Sequence, residues 1–132
     1  MRKLAFVATT AALICCGPTL AFAAEQWLVT EENLGGIKGG QGNWSITREG
    51  NKVKGTAEMQ SDNGSMLTYK VDGEVAAGDN YTITMNDRSD GKKGCVWNGH
   101  PPSGAGSQQQ GLVGYAECEG TKLIVRASIF GK

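Results

Sequence analysis

The side chains able to do covalent or acid–base chemistry are few and widely spaced. Cys95 and Cys118 are the two cysteines outside the N-terminal stretch, and they are separated by a loop of about 24 residues. In an oxidising compartment such a pair closes into a disulfide, for which loop-closure entropy gives roughly 3 kcal/mol. A metal site on the same two sulfurs would need further ligands, and the one histidine, His100, cannot complete it. His100 as a general base would need a nucleophile and an orienting carboxylate. Ser103 is near in sequence, but no Gly-x-Ser-x-Gly elbow presents it. Residues 35–42, Gly-Gly-Ile-Lys-Gly-Gly-Gln-Gly, suggest a phosphate loop only at first sight. They lack the Gly-Lys-Ser/Thr that leads into a helix, and Ser45 stands where a dinucleotide fingerprint from Gly40 needs glycine. They read as a flexible loop. No catalytic residue, cofactor or metal is therefore expected, and the chain is not read as an enzyme.

Aromatic side chains are the other candidates, because rings stack on sugars and planar ligands. Trp44, Tyr69 and Tyr81 fall on apolar strand faces and read as core. Trp97 and Tyr115 flank the longest aperiodic stretch, 98–110, which holds His100, and these three are the candidate ligand contacts.

These residues must be carried by strands. Trp44 and Ile46 alternate with Ser45 and Thr47. Val53, Gly55, Ala57 and Met59 alternate with Lys52, Lys54, Thr56 and Glu58. Leu67 to Val75, Tyr81 to Met85, Cys95 with Trp97, Leu112 to Cys118 and Leu123 to Ile129 continue the period of two, and Gln26 to Thr30 adds a short strand. Gly50-Asn51, Asp62-Asn63-Gly64, Ala77-Gly78-Asp79-Asn80 and Glu119-Gly120 supply short turns between them. Short turns join neighbours, so the pattern predicts an all-β antiparallel meander of seven to eight strands. Such a meander buries its one apolar face by closing into a small barrel or folding into a sandwich, with Cys95 and Cys118 bonded.

Residues 1–23 have a basic start, Arg2 and Lys3, an apolar run from Leu4 to Ile14, and Ala21-Phe22-Ala23 as a small-residue cleavage site. This predicts an export signal and a single domain at 24–132 in the secreted or periplasmic space. The residues before Cys15 and Cys16 are Ile14 and Cys15 rather than the small residue of a lipoprotein signal, so cleavage after Ala23 is the expectation. The apolar run is too short to cross a bilayer and no second one follows, so no membrane span is expected in the mature form. Asn43, Asn63 and Asn80 head Asn-x-Ser/Thr triplets that would accept glycans in a eukaryotic secretory pathway.

The 132 residues carry 13 basic and 13 acidic side chains. Removing Arg2 and Lys3 leaves 11 basic, a net charge of about −2, which excludes a nucleic-acid-binding polycation. Twenty glycines without a collagen period point to many turns.

Gly42-Asn43-Trp44 on the first long strand and Arg126 in Leu123-Ile124-Val125-Arg126 resemble the calycin barrels, that is, the lipocalins with their fatty-acid-binding and avidin relatives. The resemblance implies a closed barrel in which Trp44 packs against Arg126, and a small-ligand function. Two expectations follow. One is a non-enzymatic binding protein holding a small apolar or sugar ligand in the barrel mouth near Trp97, His100 and Tyr115. The other is an inhibitor or partner of an extracellular hydrolase, a lysozyme or a protease, acting through the 98–110 loop.

Overall fold

A computed structural model describes residues 24–102 and 111–130. Eight antiparallel strands follow one another around a closed barrel: β1 (Glu25–Glu32), β2 (Lys38–Glu49), β3 (Lys52–Ser61), β4 (Met66–Ala76), β5 (Asn80–Asn86), β6 (Cys95–Gly99), β7 (Gly111–Cys118) and β8 (Thr121–Phe130). Each strand pairs with its neighbours in sequence, and β1 pairs with β8 to close the ring, with Trp27 opposite Trp44 on one side and Ile129 on the other. Closure leaves no unpaired sheet edge. Among the described residues no helix is long and apolar enough to cross a membrane.

The period of two reappears as burial. Trp27, Val29, Trp44, Ile46, Val53, Ala57, Tyr69, Val71, Ile83, Met85 and Val125 point inward, while their sequence neighbours meet solvent. Interior space in an eight-stranded barrel is just wide enough for side chains or one small ligand. Here indoles fill it. Trp27, Trp44 and Trp97 have no exposed area. Trp27 stacks on Trp44 at 5.8 Å, and Trp97 meets Trp44 edge-on at 5.5 Å. Tyr81 and Tyr69 continue the ring column toward the two ends, edge-on to Trp27 and Trp44.

Curling eight strands this tightly brings backbones closer than side chains allow, and glycines on the inward phase permit it. A Cβ on Gly55 would lie 1.8 Å from the Ser45 carbonyl oxygen, and one on Gly114 1.7 Å from that of Asn98. Cys95 and Cys118 are bonded across the β6–β7 seam, beside the Val96–Glu117 pair.

Three expectations are corrected. Residues 38–42 are not loop but the start of β2, paired with β1 and β3, and Gly42 permits the close approach to β3, since a Cβ there would lie 2.3 Å from the Glu58 carbonyl oxygen. The aperiodic stretch begins later than residue 98: Asn98 and Gly99 complete β6, and His100 forms a bridge with Val113. Arg126 does not lie under Trp44. Its alternation with the buried Val125 turns it to the outer wall, where its Nε donates to Glu32 at 3.0 Å. The part of the 98–110 loop from 103 to 110 lies outside the described residues, as does the stretch 1–23 expected to be an export signal.

Candidate functional site

The barrel has two ends, and each is closed by a glutamate, an arginine and a tyrosine. At the first end, reached by the start of β1, the β2–β3 and β4–β5 turns and the end of β8, Glu25 accepts from the Trp27 indole at 3.0 Å and from Arg48, whose Nη2 also donates to the Tyr81 hydroxyl at 2.6 Å. The Arg48 guanidinium sits between the Trp27 and Tyr81 rings, 6.0 and 5.4 Å from their centroids. Burial alone would disfavour the charge on Arg48, but the hydrogen bonds it donates to Glu25 and Tyr81 outweigh it and raise its pKa.

At the opposite end, reached by the β1–β2, β3–β4 and β5–β6 connections, Arg88 grips Glu31 in a two-pronged pair at 3.0 and 3.1 Å and Asp90 in a second at 2.9 and 3.0 Å. Such forks combine charge with fixed geometry. The Tyr69 hydroxyl donates to Glu31 at 2.6 Å and accepts from the Trp44 indole at 3.0 Å. The Arg88 guanidinium lies 4.6 Å from the Tyr69 ring. Burial and then the Glu31 charge push the Tyr69 hydroxyl pKa well up. Burial would lift the Asp90 carboxyl, yet the bonds from Arg88 and the Lys92 amide hold it well below the usual carboxylate range. The two stacked tryptophans thus send their N–H groups to opposite ends of the barrel, each finding the partner a buried indole needs.

At the Arg88 end lies a cup of about 320 Å³ whose lining includes Glu31, Asp90 and Lys92 together with Ile37, Leu67 and Leu123. Several of the ionic groups in and around it are paired, Arg88 with Glu31 and Asp90, Lys92 with Asp90, and Arg126 with Glu32, while Asp62 and Lys38, which donates to Gln41, also line it. The rest of its wall mixes polar Asn33, Ser61 and Asn63 with apolar Ile37, Leu67 and Leu123. The same connections expose Leu34, Ile37 and Met66, each more than half accessible. A wider depression of about 550 Å³ lies on the outer wall, between Thr47, Lys54, Lys70, Asp72 and Asp87, most of them exposed side chains.

The residues expected to bind ligand do not converge. Trp97 is inside, its indole lying over Gly99 and donating to the Gly114 carbonyl at 3.1 Å, so its faces are taken up by packing. His100 and Tyr115 do share the outer wall: His100 faces Val113, two residues along β7 from Tyr115, which is 55% exposed under the Lys122 ammonium. Trp44 is core as expected, and arginine does meet aromatic rings, but through Arg48 and Arg88. Parity could have found Glu25, Glu31 and Arg48, which share the phase of Trp27, Val29, Trp44 and Ile46. Arg88, in an aperiodic loop, gave no such signal. Among the described residues no group of three or more His, Cys, Asp or Glu side chains is placed to hold a metal ion.

The sequence matches no protein-family model and no curated protein. Two solved structures are similar. One is a de novo designed fluorescence-activating β-barrel, at a TM-score of 0.54 and 15% identity, covering 81% of this chain and 91% of that one. The other is a redesigned β-barrel, mFAP1, bound to DFHBI, at 0.55 and 15%, covering 78% and 90%. At that identity the likeness concerns the fold, a small eight-stranded antiparallel barrel.

Proposed function

We propose that this chain is an exported, non-enzymatic binding protein that meets its target at the Arg88 end of the barrel, through the cup and the apolar loop tips around it. The observation that carries this reading is the filled interior beside an open end where Leu34, Ile37 and Met66 stand exposed around a cup of mixed lining. Three fully buried indoles occupy the space a calycin-type ligand would need, so recognition is left to the outside. Because Ile37, Leu67 and Leu123 line the cup and its buried carboxylate Glu31 is already held by Arg88, the occupant we favour is an apolar group. A side chain of a protein partner is the occupant we favour, with Leu34, Ile37 and Met66 covering the rim as it docks, and an extracellular lysozyme or protease is a partner of the right kind. A scaffold tied by a disulfide and by ion pairs at both ends loses little freedom on binding. A free small apolar molecule is the second reading. It is supported by the cup volume, near the lower limit of about 300 Å³ for ligand pockets, and by the DFHBI carried by one of the similar barrels.

The test is a panel of extracellular lysozymes and proteases, together with DFHBI and palmitate, titrated against wild type, Ile37→Asp and a variant lacking residues 103–109. We expect Ile37→Asp to weaken binding at least tenfold and the deletion to leave it unchanged. Binding abolished by the deletion and untouched by Ile37→Asp would return recognition to the 98–110 loop and refute the cup.

A further inference from the structure

The chain contains two Asn-Gly pairs in contrasting settings. Asn63-Gly64 is in the exposed β3–β4 turn, where Gly64 has a φ of +89°. Asn98-Gly99 is in β6, with Gly99 buried beneath the Trp97 ring. Asn-Gly is the sequence in which a side-chain amide is most easily attacked by the following backbone nitrogen, because glycine places no Cβ in the way.

In the turn, the Asn63 Oδ1 accepts from the Ser65 backbone N–H at 3.0 Å and from the Ser65 hydroxyl. The bond to the residue two positions on folds the side chain back over the Asn63–Gly64 peptide. Two donors on one carbonyl oxygen are also the arrangement that stabilises an oxyanion when that carbonyl is attacked. Asn98 is held differently: its Oδ1 accepts only a long contact from the Thr82 hydroxyl at 3.3 Å, and its backbone is fixed in the extended strand.

We propose that Asn63 is a self-modification site, converted to aspartate and isoaspartate with Ser65 as the positioning residue. The Gly64 nitrogen gives up its proton and bonds to the Asn63 Cγ; the C–N bond of the side-chain amide breaks, and ammonia departs with that proton. Water then opens the cyclic imide at either carbonyl. Opening at one gives aspartate; opening at the other gives isoaspartate, whose main chain runs through Cβ. No oxidation or reduction occurs, and water is the sole co-reactant. The Gly64 N–H must first leave the Ser61 carbonyl, to which it donates at 2.9 Å, and an exposed turn releases such a bond readily. Asn63 lines the Arg88-end cup, so the product adds one negative charge, and in the isoaspartate form an extra main-chain carbon, to its rim. The chemistry stands apart from the proposed function. Only its consequence, weaker docking of an apolar group by aged protein, rests on the cup being the binding site.

Peptide mapping by mass spectrometry, after incubation of the intact protein in mildly alkaline buffer, tests the chemistry without any binding partner. In urea-unfolded chain Asn63 and Asn98 should gain one mass unit at similar rates. In folded protein Asn63 should outpace Asn98 by roughly a hundredfold, since β6 must open before Asn98 can react. Ser65→Ala should slow Asn63 by about tenfold, less than the loss of a donor in a dry active site because water competes, and Ser65→Thr should restore the rate. Equal rates at the two sites in folded protein, or a Ser65→Ala rate equal to wild type, overturns the proposal.

Discussion

The two ends of the barrel use the same three residue types and bury them to different depths. At the Arg88 end the guanidinium is 1% exposed and its two-pronged partner Glu31 6%, with a second carboxylate from Asp90. At the other end Arg48 is 26% exposed over Glu25 at 9%, with a tyrosine in place of the second carboxylate. The comparison teaches that an ion pair's role follows its solvent access. A charge removed from water must be matched fully, so the Arg88 cluster behaves as one unit. A charge left partly in water is screened, and the Arg48 cluster is a looser seal.

Removing each arginine is the sharpest way to break this symmetry. Arg88→Ala leaves Glu31 buried without its main partner and should cost about 3–5 kcal/mol, whereas Arg48→Ala should cost about 1 kcal/mol after screening. Urea midpoints of the two variants decide it, and equal losses would mean that burial is not what separates the ends. A smaller contrast comes from the hydroxyls. Tyr69→Phe removes a group joined to both Glu31 and Trp44 and should cost roughly 1–3 kcal/mol because buried partners lose their bond. Tyr81→Phe, whose partner Arg48 still reaches Glu25 and water, should cost less than about 1 kcal/mol.

The smallest effect is a pH dependence at the Arg88 end. Asp90 has a carboxyl pKa depressed by folding, so its contribution is full above the unfolded value near 4 and fades as pH falls through and below it. The stability difference between wild type and Asp90→Asn should therefore be constant from neutral pH down to about 5 and shrink in more acidic buffer. A difference that grows on acidification would show that the Arg88–Asp90 pair is not the stabilising contact.

Legibility in the sequence also divides between the ends. Glu25, Glu31 and Arg48 sit in strands, in step with buried tryptophan, valine and isoleucine. Their inward direction was therefore readable, although charged residues at inward positions invite the opposite guess. Arg88 and Asp90 sit in a connection whose path is set by where β5 and β6 leave it, and no spacing announces that it folds back over Glu31. Alternation places Trp97 on one face with Cys95, as the structure has it, while its place beside the long loop points to a ligand contact. The close β6–β7 approach at Gly114 instead swallowed it into the core.

Alternation of apolar and polar residues, short glycine turns and two cysteines in facing strands by themselves determined an all-β meander with Cys95 joined to Cys118, because side-chain direction along a strand is a local property with period two. Ring closure through β1 and β8, the pairing of rings with Arg48 and Arg88 rather than Arg126, and the cup at one end were decided only in three dimensions. Parity tells which side of the sheet a residue takes, but not what stands across the barrel from it. That depends on stagger and curvature summed over all eight strands.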